Sequence, residues 1–482
     1  MTKPPTRSTT STTAVIMAAG LGTRMRSRTP KLLHEVCGRP MLAYVIDAAR
    51  EATGARPLVV YSSHTAALCE VFAGQVDCAL QDEPRGTADA VRAALDLLPR
   101  DVTEIAVING DIPLIDPAMI AALIAERRAE MAVVALLTIE AYEPDGLGRV
   151  VRDEDDHVMR VVEEKDATED ELDIDEINSG VYAFDVGWLR RRLGDIAPSP
   201  VTGELYLPSI VALARADHRP IATVEVEDDG TLYGINDRAQ LASAEIDMRL
   251  RINERHMLAG VTMLMPNATH IEAGVVLDED VTLEPNVFLA GVTRIGRGSV
   301  ITSGSRVVDS VIGERCTITS SVIESSIVED DVRIGPFSHL RAGTRVESGA
   351  EIGNFAEIKK SRLGRGTKQH HFSYIGDAEV GARVNIGAGT ITANFDGRAK
   401  HRTVIGDDAF IGSDTILRAP VTVGEGSVTG AGSVVTKDVP PGKLAVGVPA
   451  RIRERRVQSA EPAEPGEPAE PAPSAEPEPT SG

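Results

Sequence analysis

Aliphatic residues recur at every sixth position over much of the second half of the chain. Each sixth residue is Ile, Leu or Val from 271 to 307 and, after one change of phase, from 328 to 358. A helix repeats every three to four residues and a strand every two, so neither element alone accounts for this period. The period predicts a β-solenoid, in which one aliphatic residue of each flat face points inward and stacked coils bury a continuous core. The series breaks over residues 387–401, where we expect an excursion loop, and it resumes at Ile405.

The first half of the chain alternates short apolar runs with amphipathic segments. Strands are predicted over residues 14–19, 56–61 and 104–109, and helices over 40–50 and 87–98. This alternation is typical of a mostly parallel sheet with helices on both faces. Charged residues with helical spacing at 239–258 predict a connecting helix. We therefore expect a tail over 1–13, an α/β domain over 14–238, a linker helix over 239–260, a β-helix over 261–458 and a disordered, Pro- and Glu-rich tail over 459–482.

Charge and composition argue against several classes of protein. The 50 Lys and Arg residues stand against 72 Asp and Glu residues, and the net charge of −22 disfavours nucleic acid or an anionic membrane as a partner. No run approaches the roughly 18 apolar residues of a membrane span, so we expect a cytoplasmic protein. The four cysteines show no zinc-ligand spacing, and we expect free, mostly buried thiols.

A glycine-rich loop with two basic residues follows the first predicted strand, in the sequence AAGLGTRMRSRTPK over residues 18–31. Gly20 and Gly22 let the backbone approach phosphate oxygens closely, and Arg24 and Lys31 add positive charge. The loop matches neither GxxxxGK[ST] nor GxGxxG. A tight turn without a ligand explains the glycines alone, but the added Arg and Lys favour a phosphate site.

Asp111, in the sequence NGDIP, follows another predicted strand. Parallel sheets place their ligand sites at such strand ends, and a carboxylate there suits Mg²⁺ shared with substrate phosphates. A plain Asx turn is the alternative when this motif is taken alone. Its company with the glycine loop favours the metal.

Basic residues and histidines interrupt the solenoid repeats. Arg341, Lys359 and Lys360 bring positive groups near one another, in an arrangement that suits a phosphate. His370 and His371 follow soon after, and a histidine beside a phosphate clamp is a candidate general base. A solvated basic stripe without function is the alternative.

The motif AAG-x-GTRM followed by PK resembles the sugar-phosphate nucleotidylyltransferases. Among them it resembles the bifunctional N-acetylglucosamine-1-phosphate uridylyltransferase/glucosamine-1-phosphate N-acetyltransferases. Further matches follow in the family's order, in QDEPRGT, GLGR, VEEKDA, EINSG and YGIND. The resemblance covers roughly residues 14–452. It implies a Rossmann-like uridylyltransferase domain joined by a helix to a left-handed parallel β-helix that transfers acetyl groups.

The resemblance also assigns roles in the α/β domain. It implies that Ala18, Ala19, Gly20, Gly22, Gln81, Gly86 and Thr87 bind UTP, that Arg24 and Lys31 act in catalysis, that Gly148, Glu163 and Asn178 hold the amino sugar, and that Asp111 and Asn236 bind Mg²⁺. Two departures from the family pattern fall here. Ala88-Asp89 stands where the family usually has Gly-His, and Leu147 stands where it usually has Tyr.

In the β-helix, the resemblance makes His371 the base that takes a proton from the glucosamine amine as it attacks acetyl-CoA. It implies that Arg341 and Lys359 hold the sugar phosphate, Tyr374, Asn385 and Lys400 the sugar, and Ala388, Asn394, Phe395, Ser413, Ala431 and Arg451 acetyl-CoA, with Glu357 supporting the site. Phe395 replaces the family's Tyr, and an arginine expected near Val448 is absent, so that Arg451 is its candidate replacement.

The predicted function is therefore synthesis of UDP-N-acetylglucosamine, for the cell envelope, by a homotrimer whose acetyl sites are shared between subunits. Two alternatives remain from the sequence. One is a monofunctional nucleotidylyltransferase whose β-helix only assembles subunits, and the other is an assembly protein without catalysis.

Overall fold

The computed structural model describes residues 11–83, 85–142 and 144–455. Most of the predicted N-terminal tail and all of the predicted C-terminal tail lie outside the described residues. By its internal contacts the chain divides between Asp309 and Ser310 into two compact units. The first unit holds an α/β domain, a long helix and the first solenoid strands, and the second holds the remaining solenoid.

The α/β domain is built on a mixed sheet. The described strands of the domain are β1 Ser11–Met17, β2 Glu35–Val36, β3 Arg39–Pro40, β4 Leu58–Tyr61, β5 Asp77–Leu80, β6 Val102–Asn109, β7 Val134–Glu140, β8 Arg149–Arg152, β9 Val158–Val162, β10 Glu176–Asp185 and β11 Ile221–Val226. Strands β2 and β3 pair only with each other. The main sheet runs in the order β11-β7-β10-β6-β1-β4-β5, with β8 and β9 attached at β10. Strand β10 is antiparallel to both of its neighbours, whereas β1 pairs in parallel with β4 and β6. The carboxyl ends of β1, β4 and β6 therefore meet at one edge of the sheet.

Helices flank this sheet and continue into a connecting helix. They are α1 Met41–Thr53, α2 Ala67–Val71, α3 Thr87–Leu95, α4 Pro117–Ala129, α5 Glu169–Leu172, α6 Val186–Arg192, α7 Ile210–Ala216 and α8 Arg238–Leu258, with short 3₁₀ turns at Thr23–Met25, Lys31–Leu33, Ser63–Thr65, Glu164–Asp166, Leu193–Asp195, Leu207–Ser209 and Pro266–Ala268. Asp237 caps α8 by accepting hydrogen bonds from Ala239 N and Gln240 N, each at 2.9 Å. This cap fixes the backbone next to Asn236. None of the helices in the described ranges combines the length and apolar character needed to cross a bilayer.

The first unit ends in short parallel strands of the solenoid: Thr262–Met263, His270–Ile271, Val276–Leu277, Thr282–Leu283, Phe288–Ala290, Arg294–Ile295, Val300–Ile301 and Arg306–Val308. Leu283 lies beside Ile301, three repeats further along the chain. Both side chains are fully buried. The six-residue period therefore places one inward aliphatic residue on each of three faces, as predicted.

The second unit consists of three sheets of short stacked strands, which we name face 1, face 2 and face 3 in the order in which each coil from residue 317 onward passes through them. Face 1 holds Thr317–Ile318, Arg333–Ile334, Glu351–Ile352, Lys368–Gln369, Asn385–Ile386, Phe410–Ile411, Val428–Thr429, Lys443–Val446 and the antiparallel strand Arg451–Glu454; face 2 holds Val322–Glu324, His339–Arg341, Ala356–Lys359, Ser373–Gly376, Ile391–Ala393, Ile416–Arg418 and Val434–Val435; face 3 holds Val311–Ile312, Ile327–Val328, Arg345–Val346, Arg362–Leu363, Ala378–Val380, Thr403–Ile405 and Val421–Val423. The β-helix architecture expected from the sequence is confirmed.

The excursion loop is shorter than the sequence pattern indicated. The strand Ile391–Ala393 still pairs within face 2, and the chain leaves the coil only between it and Thr403. Thr392 occupies the inward position and is fully buried. Its Oγ1 accepts from Gly376 N at 2.7 Å, so a hydroxyl replaces an aliphatic side chain without loss of the repeat.

The expectation of free thiols is wrong for two of the four cysteines. Cys69 in α2 and Cys78 in β5 form a disulfide with a Cα–Cα distance of 6.3 Å. The short connection between these elements brings the two residues together, which a spacing of nine residues does not reveal. Cys37 and Cys316 are buried and lie outside the disulfide, as expected.

Candidate functional site

Two adjoining cavities lie at the carboxyl ends of β1 and β6. One has a volume of about 500 Å³ and is lined by the glycine loop, Gln81 and Gly86. The other has a volume of about 660 Å³ and is lined by Gly148, Glu163 and Asn178. Every residue predicted for the nucleotidyl site lines one or both cavities: Ala18, Ala19, Gly20, Gly22, Arg24, Lys31, Gln81, Gly86, Thr87, Asp111, Gly148, Glu163, Asn178 and Asn236. After the ligands that the sequence predicts for them, we call the first the nucleotide cavity and the second the sugar cavity.

The glycine loop needs glycine at one position in particular. Gly22 has φ of 59°, and a Cβ there would lie 2.6 Å from Lys31 Cβ. A larger residue would therefore displace Lys31 and strain the backbone. The loop holds the Lys31 side chain against the floor of the nucleotide cavity.

Lys31 joins the two predicted metal ligands. Its Nζ lies 2.5 Å from Asp111 Oδ2 and donates to Asn236 Oδ1 at 2.8 Å. The two oxygens come from separate segments of the chain and face the same position, which the Lys31 ammonium occupies. A carboxylate and an amide oxygen are donors that Mg²⁺ accepts when substrate phosphates complete its shell. Among the described residues there is no cluster of three or more His, Cys, Asp or Glu side chains arranged for a metal, so any metal here would rely on other ligands too.

Gln81 and Gly86 form the wall of the nucleotide cavity beside helix α3. Gly86 has φ of 126°, and a Cβ there would lie 2.4 Å from the Leu205 carbonyl oxygen. Ala88 N donates to that same oxygen at 2.9 Å, and Leu207 N donates to Thr87 Oγ1 at 2.8 Å. The start of α3 is therefore fastened to residues 205–207, a contact that no sequence motif indicated.

The sugar cavity is organised by a buried arginine. Arg149 is 1% exposed and donates from Nη1 to the carbonyl oxygens of Pro144 and Leu147 at 2.7 and 2.6 Å. These bonds fix the loop that carries Gly148, whose carbonyl oxygen accepts from Asn178 N at 2.9 Å. The loop is thus set by Arg149 although Leu147 departs from the family pattern.

Asn178 and Glu163 provide the polar groups of the sugar cavity. Asn178 Nδ2 donates to the Tyr182 hydroxyl at 2.6 Å, and its Oδ1 accepts from Gly180 N at 3.2 Å. Burial raises the pKa of the Glu163 carboxyl, and the nearby carboxylates of Asp166 and Glu204 raise it further. Burial likewise raises the pKa of Tyr182, so its phenol stays protonated. Sequence reasoning missed Tyr182 because its contact with Asn178 depends on an irregularity in β10.

A second group of predicted residues meets on face 2 of the solenoid. Arg341, Lys359 and Gly376 pair in register across three coils, and Glu357 pairs with Tyr374 two positions earlier. Arg341 Nη1 lies 2.7 Å from Glu357 Oε1. The neighbouring Lys400 ammonium lowers the pKa of Lys359 most, and the Arg341 guanidinium lowers it further. Such a concentration of like charge on an open surface suits a bound phosphate.

His371 lies at the turn from face 1 to face 2, in a column of equivalent turns. Its ring is exposed, and in the part of the chain that the structure describes it makes no hydrogen bond. Successive turns of this column are joined by backbone bonds from Gly389 N to Phe372 O, from Asp414 N to Ala388 O and from Gly432 N to Ser413 O. Three residues predicted to contact acetyl-CoA stand in this one column: Ala388, Ser413 and Ala431.

The excursion loop carries further predicted residues. Lys400 forms an isolated bridge with Phe395, whose ring is 60% exposed. Asn394 is buried and donates from Nδ2 to Asp377 Oδ2 at 2.5 Å, so this amide helps to fix the base of the loop. Asp396 accepts from Ala399 N at 2.8 Å.

Two predicted residues stand apart from this group. Asn385 lies on face 1, where it pairs with Lys368 and Phe410, and not on face 2. Arg451 lies on the antiparallel strand of face 1, paired with Val446. The single chain therefore does not bring either residue against the Arg341–Lys359 cluster through any described contact.

Comparisons with known proteins identify the family of the chain. Residues 14–155 match the model of the MobA-like NTP transferase domain, and residues 402–437 match the bacterial transferase hexapeptide (six repeats). A protein of Pelobacter propionicus named "Bifunctional protein GlmU" is 45% identical over 437 residues, which cover 90% of this chain and 95% of that protein. Proteins of the same name from Streptococcus equi subsp. zooepidemicus and Mycobacterium bovis are 42% identical over 434 residues and 40% identical over 463 residues. They cover 90% and 94% of this chain, and each is itself covered over 94% of its length. With this identity over nearly the whole of both chains, the chain belongs to the family of bifunctional GlmU proteins.

Proposed function

We propose that the chain makes UDP-N-acetylglucosamine in two reactions at two separate sites. The solenoid transfers an acetyl group from acetyl-CoA to glucosamine 1-phosphate. The α/β domain then transfers a uridylyl group from UTP to the N-acetylglucosamine 1-phosphate that results, and pyrophosphate leaves. Both reactions take place in the cytoplasm, where UTP and acetyl-CoA are available. The product serves cell-envelope synthesis.

Acetyl transfer needs a neutral amine and a held phosphate. Arg341 and Lys359 bind the phosphate of glucosamine 1-phosphate by charge, and Lys400 binds its sugar. The amine attacks the thioester carbonyl, the C–S bond breaks, and coenzyme A leaves as the thiol after it takes up a proton. His371 accepts the proton that the amine loses, because imidazole titrates near neutral pH. The exposed ring of His371 supports this role.

Uridylyl transfer depends on positioning and on charge. A phosphate oxygen of the sugar phosphate attacks the α-phosphorus of UTP in line, and the bond to pyrophosphate breaks. Arg24 and Lys31 face the triphosphate and offset its growing negative charge. Asp111 and Asn236 would hold Mg²⁺, which supplies further positive charge at the phosphates. Asn178 and Glu163 bind the amino sugar in the adjoining sugar cavity.

The acetyl site is completed by neighbouring copies in a homotrimer. The cluster on face 2 is open to solvent, and Asn385 and Arg451 lie elsewhere on the same chain. Packing a second copy beside face 2 would wall the site and supply such residues. The trimer therefore accounts for predicted residues that one chain does not assemble.

One observation carries the proposal: two cation-lined sites are built by different folds in one chain. The test supplies glucosamine 1-phosphate, acetyl-CoA, UTP and Mg²⁺ and measures UDP-N-acetylglucosamine by mass spectrometry. Omission of acetyl-CoA should abolish the product, and N-acetylglucosamine 1-phosphate should restore it without acetyl-CoA. A product that forms from N-acetylglucosamine 1-phosphate but never from glucosamine 1-phosphate would leave a monofunctional nucleotidylyltransferase.

A further inference from the structure

The side-chain amide of Gln81 is fixed by two acceptors in the nucleotide cavity. Gln81 directly follows β5 and is only 4% exposed. Its Nε2 donates to the Gly86 carbonyl oxygen at 3.1 Å and to Asp89 Oδ2 at 3.2 Å. An amide nitrogen carries two hydrogens, so both donors are used. Only the acceptor Oε1 of Gln81 remains for a ligand.

Neither of the two acceptors that Gln81 contacts can become a hydrogen-bond donor. The Gly86 carbonyl oxygen also accepts from Ala90 N at 3.2 Å, and the backbone at Gly86 is held in a conformation that tolerates no side chain. Asp89 is a carboxylate, and its Oδ1 lies 3.4 Å from Arg92 Nη1. A carboxylate accepts hydrogen bonds and does not donate them. A reversed Gln81 amide would therefore set its oxygen against two acceptors.

We propose that Asp89 is a positioning residue that makes the nucleotide site selective for uracil over cytosine. This inference rests on the proposed uridylyl transfer. Uracil presents an N3–H donor, whereas N3 of cytosine is a bare acceptor. An Oε1 held as an acceptor binds the uracil N3–H and opposes the lone pair of cytosine N3. This arrangement is particular to this chain, because the family usually has histidine where this chain has Asp89.

The substitution Asp89→Asn tests the proposal by nucleotide binding. An amide at this position can donate as well as accept, so one of the two acceptors that oppose a reversed Gln81 amide is removed, and Gln81 turns more readily to donate to cytosine. The dissociation constants of UDP and CDP are measured by calorimetry in the presence of Mg²⁺. The preference for UDP over CDP should fall about tenfold, the equivalent of one lost hydrogen bond. Any effect of the lost charge on the phosphates acts on both nucleotides and cancels in the ratio.

Asp96→Asn is the matched control. Asp96 is an exposed carboxylate at the end of the same helix α3, away from Gln81. The substitution Asp96→Asn removes the same charge and should leave the ratio of the UDP and CDP dissociation constants unchanged. An unchanged ratio in folded Asp89→Asn protein would overturn the proposal, and Asp89→Ser provides the same test should Asn prevent folding. Wild-type protein that releases no pyrophosphate from UTP would count against the proposed function instead, while the binding ratio still decides the role of Asp89.

Discussion

At the residue scale, Lys31 occupies the point that the proposed Mg²⁺ would share with Asp111 and Asn236. Its ammonium would compete with a divalent ion for these two oxygens until a bound triphosphate attracted the ammonium. In protein free of nucleotide, Lys31→Met should therefore bind Mn²⁺ roughly tenfold more tightly, as measured by electron paramagnetic resonance titration. Pyrophosphate release should fall by about 100-fold or more, because a charge facing the phosphates is lost.

Arg28→Met is the control for this charge change, since Arg28 is exposed in the same loop. It should leave the Mn²⁺ affinity of nucleotide-free protein as in the wild type. Equal Mn²⁺ affinity in wild-type and Lys31→Met protein would contradict the competition.

Tyr182 orients Asn178 through an irregular strand. Residues four apart in a regular strand are separated by about 13 Å, yet Asn178 Nδ2 reaches the Tyr182 hydroxyl at 2.6 Å. The pairing of β10 with β7 shifts register between the two residues, and Gly180 there has φ of 79°. This bulge brings the two side chains together.

Tyr182→Phe should therefore raise the KM for N-acetylglucosamine 1-phosphate about tenfold. The KM for UTP and kcat should change little, because the phosphates and the base bind elsewhere. Steady-state kinetics separate these constants, and KM does not depend on the folded fraction of a preparation. Tyr61→Phe in strand β4 is the control, and a rise in both KM values alike would argue against a specific role for Tyr182.

Lys359 makes the acetyl reaction sensitive to alkaline pH. Lys400 and Arg341 lower its pKa, so it loses its charge at a lower pH than an ordinary lysine. Phosphate affinity is present below that pKa and is lost as the pH rises through it. The KM for glucosamine 1-phosphate should therefore rise from a lower pH in wild-type protein than in Lys400→Met protein.

The titration of the substrate amine is common to both proteins, so the ratio of their KM values across the pH range isolates the lysine. A ratio that does not vary with pH would show that Lys400 does not set the titration of Lys359.

At the scale of elements, the inward aliphatic residues hold the solenoid together. Ile358 is fully buried in face 2 beneath the cation cluster, whereas Ile391 in the same face is 42% exposed. Ile358→Ala should lower the free energy of unfolding by about 2–5 kcal/mol, measured by denaturant titration. Ile391→Ala should cost less than about 1 kcal/mol. Similar losses for both would mean that the repeat does not define the core.

The sequence predicted the regular elements better than the irregular features within and between them. The six-residue period located the solenoid because the inward positions follow from the local repeat and can be recognised without knowledge of long-range contacts. The end of the period was misjudged, since Thr392 and Gln369 keep the inward positions with polar side chains. The antiparallel placement of β10 and the Cys69–Cys78 disulfide arise from how elements pair in space, which local patterns do not contain.

The candidate sites divide in the same way. Strand-end motifs identified Lys31 and Asp111, which the fold brings into contact. Asp89 and Tyr182 were missed because each acts through a partner whose orientation only the folded chain reveals. The sequence thus predicted the groups that would face substrate, and the structure added the groups that hold them in place.

At the scale of the whole molecule, the proposed function requires one chain to carry two independent reaction centres. The nucleotidyl residues lie in the unit that ends at Asp309, and the acetyl residues lie in the unit that begins at Ser310. Damage to one centre should therefore spare the other. His371 and Asp111 are the residues on which this separation is tested.

The most direct measurement follows coenzyme A thiol and pyrophosphate together in wild-type, His371→Ala and Asp111→Ala proteins, each supplied with glucosamine 1-phosphate, acetyl-CoA, UTP and Mg²⁺. His371→Ala should release neither product, yet it should release pyrophosphate normally once N-acetylglucosamine 1-phosphate is added. Asp111→Ala should release coenzyme A normally and no pyrophosphate. Loss of both activities in either folded variant, or a wild-type protein that consumes no acetyl-CoA, would contradict the account.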